Sequence, residues 1–134
     1  MSAEVAVRAA VIDALRADTL LMDGLNGLFD GAPVRASQPY GVVGECIGAD
    51  WGGKDVAGRE LRLTIGLHDG GETPARLAGM IARIDPVLAG VPVREGWRVV
   101  TARLVRSRVA RAARQGGGWS AVVDYRLRAV WEGY

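Results

Sequence analysis

The sequence predicts an α+β fold: an antiparallel β-sheet of about four strands, two helices packed on one face of it, and a long β-hairpin at the C-terminal end. Three observations carry this. Two stretches, residues 3–17 and 75–88, repeat apolar side chains at helical spacing. Residues 60–68 alternate strictly, and residues 97–131 hold two strand-like runs around a Gly-rich tip.

In residues 3–17, Val5, Ala9, Ile12 and Leu15 fall on one helical face, so the first element is an amphipathic helix that packs through one stripe. Asp23-Gly24, Asn26-Gly27 and Asp30-Gly31 then mark a loop, followed by a short extended piece at 34–36. Residues 39–47 read as a strand weakened by its glycines, and residues 48–58 as a long Gly-rich loop. The clearest strand has Leu61, Leu63, Ile65 and Leu67 on one face, opposite Glu60, Arg62, Thr64 and His68. Thr73-Pro74 supplies an N-cap and a proline at the first helical position for a second helix, with Leu77, Ile81, Ile84 and Leu88 on its apolar stripe. Pro86 should kink that helix or restart its last turn, and Gly90 ends it.

In the hairpin, Trp119, Ala121, Val123, Tyr125, Leu127, Ala129 and Trp131 share one face. On the preceding run Val100, Ala102 and Leu104 share a face, but Val105 and Val109 fall in the other phase. A bulge near Leu104 and Val105 accounts for the change, and the strand beyond it is expected to leave the body as an arm. No boundary divides residues 1–134, so one domain is expected.

Charge is segregated. Residues 94–114 hold seven Arg and one Glu, a net of +6, while the whole chain sums to +2, which leaves −4 for the rest. A basic hairpin on an acidic body points to a partner, either protein or nucleic acid. Arg103, Arg106, Arg108, Arg111 and Arg114 are the candidate contacts, without the interleaved aromatics that stack single strands. A solvated face, a subunit interface and a lining facing duplex DNA are the open readings, and charge complementarity favours the interface. With 16 of its 17 basic residues Arg, the chain suits bidentate pairing, although a GC-rich genome gives the same bias.

Catalysis finds no support in the motifs. The segment running from Gly48 to Asp55 approaches the phosphate-binding pattern G-x-x-x-x-G-K-[ST], but Asp55 stands where a hydroxyl must hold magnesium, and no helix follows. The plain reading is a β-loop in which Trp51 and Lys54 contact a neighbouring chain. His68 sits at a strand end on the polar face without a nucleophile motif, and reads as a solvated histidine. Cys46, the single cysteine, excludes an internal disulfide and reads as a small buried hydrophobe. No enzyme, cofactor or metal is expected. No run approaches the ~20 apolar residues of a membrane span, and the N-terminus lacks a signal-peptide pattern, so a soluble protein made in the cytoplasm is expected.

Taken together, the opening helix ending in Leu15-Arg-Ala-Asp18, the segment Ser37-Gln-Pro-Tyr-Gly-Val-Val43, the strand Leu63-Thr-Ile-Gly-Leu-His68, the second helix, and the closing Tyr125-Arg-Leu-Arg-Ala-Val-Trp131 resemble the tail completion or tail terminator proteins of long-tailed phages. The versions carried by gene transfer agents, phage-like particles of some bacteria, are the most similar. The resemblance covers essentially the whole chain. It implies a homo-oligomeric ring, usually of six copies, on the head-proximal end of the tail tube, assembled in the bacterial cytoplasm. Such a ring ends tube growth and joins the tail protein to the head connector or stopper, and DNA passes through it in transit. It implies no catalytic residues. The alternative is a small DNA-binding module that uses the Arg-rich hairpin without reading sequence.

Overall fold

The computed structural model describes residues 2–113 and 117–133. Helix α1 (Ala3–Ala17) starts at Ser2, whose hydroxyl accepts the Val5 N–H at 3.3 Å; Glu4 in its first turn and Arg16 in its last suit the helix dipole. Asp18 stops α1 and caps the single turn α2 (Thr19–Met22) by accepting the Leu21 N–H at 3.0 Å. The same carboxylate takes Arg83 through Nε and Nη2 at 3.1 and 2.7 Å, which ties α2 to helix α3 (Ala75–Ala89). Pro74 is the N-cap of α3 and not its first helical residue, and the helix continues through Pro86 to Ala89. Its buried side chains are Leu77, Met80, Ile84 and Leu88, while Ile81 is half-buried at the margin.

The strands β1 (Leu28–Asp30), β2 (Tyr40–Asp50), β3 (Gly58–Asp69), β4 (Trp97–Arg111) and β5 (Trp119–Trp131) form one sheet in the order β1-β2-β3-β5-β4. The expectation of about four antiparallel strands and two helices is corrected to five strands and three helices among the described residues, with β1 parallel to β2. Both additions are short. A three-residue strand between Asn26-Gly27 and Asp30-Gly31 shows no alternation, and a four-residue helix shows no period. β1 docks because Gly41 lies opposite Leu28: a Cβ there would fall 2.7 Å from the Leu28 side chain. The extended piece expected at 34–36 is not a strand, and Val34 is fully exposed. β2 runs to Asp50, so the loop is only 51–57. Gly48 lets the α1 residue Glu4 lie on the strand, since a Cβ would come 1.9 Å from its carboxylate, which is paired with Arg59.

Helices α1 and α3 cover one face. There Leu61, Leu63, Ile65 and Leu67 of β3 meet Ala121, Val123, Tyr125, Leu127 and Ala129 of β5, all at most 1% exposed, and each large side chain contributes about 1.5–3 kcal/mol of burial. Tyr125, in the centre, donates its hydroxyl to Asp85 Oδ1 at 2.5 Å and so locks α3 onto the sheet.

Strand pairing corrects the expectation of an arm. Beyond its bulge β4 does not leave the body: residues 106–111 stay paired with β5, from Arg106 opposite Asp124 to Arg111 opposite Trp119, and β5, whose apolar face is core as expected, pairs with β3 from Trp119 to Val130 on its other side. The bulge expected at Leu104 and Val105 is present between Leu104 and Arg106. A second one between Val99 and Thr101 puts Val99, not Val100, in phase with Ala102 and Leu104.

Candidate assembly surface

Among the described residues no helix lies on the second face of the sheet, and strand register decides what is displayed there. Arg62 of β3 lies opposite Arg126 of β5, and Arg126 opposite Arg103 of β4, so three arginines stand abreast across three strands. The neighbouring rows are Thr64, Asp124 and Arg106 on one side, and Glu60, Arg128 and Thr101 on the other. Glu60 therefore sits between two guanidinium groups, 3.4 Å from Arg126 Nε and 3.6 Å from Arg128 Nε. Both Nε atoms are buried and make no hydrogen bond among the described residues. Asp124 accepts from Thr64 at 2.8 Å and pairs with Arg106 at 3.0 Å. Arg62, Arg103 and Arg108 have no carboxylate within ion-pair distance among the described residues. A depression of about 450 Å³ opens between Ile47, Arg62, Val105 and Arg106. Ile47 is 57% exposed and Val105 45% exposed, so the surface mixes apolar and cationic groups.

The residues singled out in the sequence are not gathered into one site. Trp51 and Lys54 lie in loop 51–57 at the end of the sheet where β3 begins. Trp51 stacks under the Arg128 guanidinium, 5.1 Å from the ring centroid, and Lys54 is exposed. Arg103, Arg106 and Arg108 run along β4 on the helix-free face. Arg111 is at the opposite end, over the Trp119 ring at 5.1 Å. With 12 residues in β3 at about 3.3 Å each, the two ends are roughly 36 Å apart. Arg114 lies outside the described residues. The start of the returning strand is tied to the body: the Trp119 indole N–H donates to Glu72 O at 2.9 Å and the Gln38 amide to Gly117 O at 2.8 Å. Arg62, Arg126 and Arg128 were visible in the sequence only as polar residues of alternating strands, because pairing register alone brings them beside β4.

His68 is not a solvated histidine: it is half-buried and stacks on Tyr40 with centroids 4.7 Å apart. Cys46 lies under α1, and burial first, then the charge of Glu4, push its thiol up to about 11, which makes it unreactive at neutral pH. Among the described residues no group of three His, Cys, Asp or Glu could hold a metal ion. No described helix is long and apolar enough to cross a membrane.

A surface of paired and unpaired arginines around exposed apolar side chains has the composition of a contact surface. A family model described as "Tail completion protein gp17" matches residues 9–129, and the chain belongs to that family, with a structural role in a phage-like tail. Among solved structures, a chain from the "Virion of native gene transfer agent (GTA) particle" is similar at 25% identity and a TM-score of 0.75, over 99% of this chain and 100% of that one. Nothing similar is found among curated proteins.

Proposed function

We propose that copies of this chain close into a ring, six in number, on the head-proximal end of a phage-like tail tube. The ring ends tube polymerisation and joins the tail to the head connector, and DNA passes through its hole. Residues 1–134 act as a single domain, and assembly takes place in the bacterial cytoplasm. The observation that carries the reading is the end-to-end likeness to a chain of a gene transfer agent virion, within a family of tail completion proteins. Surface chemistry supports it. Loop 51–57 and the basic β4 lie on different parts of the molecule, and a closed ring requires two unlike surfaces that meet head to tail. Trp51, Lys54, Arg103, Arg106, Arg108, Arg111 and Arg114 are assigned to these contacts, which salt should weaken. The row of Arg62, Arg126 and Arg103 favours a second reading, duplex DNA binding, but Glu60 and Asp124 stand within the same face and oppose phosphate.

Mass measurement and negative-stain imaging of the protein, alone and with purified tail tubes, test the ring. Closed rings capping tube ends are expected. A chain that stays monomeric and leaves tube ends bare, yet binds duplex DNA with a steep salt dependence, would establish the second reading instead.

A further inference from the structure

The sheet ends on β4, a 15-residue strand that, among the described residues and beyond the Arg94–Trp97 bridge at its start, is paired on one side only, whereas its opposite edge is the three-residue β1. Long open edges are templates for another strand, and proteins ordinarily shorten or cover them. Here the edge is left long, with Leu104, Val105 and Val109 between 41% and 45% exposed along it. What controls it is geometry and charge. The bulge between Leu104 and Arg106 interrupts the ladder, so the regular template is residues 106–111. Along that stretch Arg106 and Arg108 stand on the helix-free face, opposite Asp124 and Val122, while Val109 stands on the other face, opposite Ala121.

We propose that this edge docks an extended segment of another protein that carries carboxylates at alternate positions and apolar residues between them. A second copy of β4 does not fit, because antiparallel pairing sets arginine against arginine, and like charges directly opposite are destabilising. Carboxylates would meet Arg108, which is free of ion pairs among the described residues, and Arg106, which Asp124 already holds in place at 3.0 Å. The intervening apolar side chains would cover Val109. The edge thus rejects a second β4 edge and selects an acidic strand. This inference does not depend on the ring.

The probe is a labelled nine-residue peptide of alternating Glu and Val, compared with one of alternating Lys and Val. The Glu peptide should bind about tenfold or more tightly, slow amide exchange within residues 106–111, and lose its advantage with Arg108→Glu, an exposed change that leaves the core intact. Equal affinity for the two peptides, or binding that leaves exchange at 106–111 unchanged, would overturn the proposal. So would an advantage of the Glu peptide that survives Arg108→Glu unchanged.

Discussion

Truncating Arg76 should cost far more than its exposure implies. Asp69, the last residue of β3, is 0% exposed, and its carboxylate takes Arg76 Nη2 at 2.5 Å and Nε at 3.2 Å, while the Arg76 side chain is 62% exposed. An ordinary exposed ion pair contributes about 0–1 kcal/mol. Arg76→Ala, however, strands a charge in the protein, a loss of about 3–5 kcal/mol when both partners are buried. Because water already screens the Arg76 side, we scale this to about 2–3 kcal/mol. Unfolding entropy of about 2.1 cal/mol/K per residue over 134 residues is ~0.28 kcal/mol/K, so Tm should fall by about 7–11 °C. Adding Asp69→Asn removes the stranded charge and should restore about 1 kcal/mol. Urea titration and calorimetry of the two variants measure both steps. A loss under about 0.5 kcal/mol for Arg76→Ala, or a double variant less stable than the single one, would refute the reasoning.

Two further outcomes follow from local geometry. Gly118 has φ of 68° and a Cβ there would lie 2.1 Å from Asp69 O, so Gly118→Ala should destabilise by more than about 2 kcal/mol in thermal melts. Gly79→Ala, in α3 with open space around it, should instead stabilise by about 0.5–1 kcal/mol. Cys46, with its thiol at about 11 against an ordinary 9.0, should react with iodoacetamide at pH 8 about a hundredfold more slowly folded than unfolded. Because the folded value is the higher, its contribution to stability is complete below pH 9.0 and is lost as pH rises towards about 11, which denaturation at pH 8 and pH 11 would register.

Periodicity carried much of the fold. The alternation of Leu61 to Leu67 and of Ala121 to Ala129 is the core of the structure, and the change of phase at Val105 marks a real bulge. β1 and α2 escaped because elements of three and four residues are shorter than the periods that reveal them. The place of β5 was hidden for a different reason. An apolar face shows that a strand is half-buried, not which strand lies beside it, so the hairpin read as an arm although its second strand, expected to meet the core, lies inside the sheet. The candidate surface divides in the same way. Arg103, Arg106 and Arg108 were legible from charge along one run, whereas Arg62 and Arg126 join them only through pairing between strands distant in sequence. The stacking of Trp51 on Arg128 crosses from a loop to another strand and left no local signal. The family itself was legible from the order of elements, and the match over residues 9–129 bears it out.

The most direct test of the account is electron microscopy of particles assembled without this chain. We predict tails of uncontrolled length with no heads attached, restored to uniform joined tails when the protein is supplied. Tails of normal length joined to heads in its absence would contradict it.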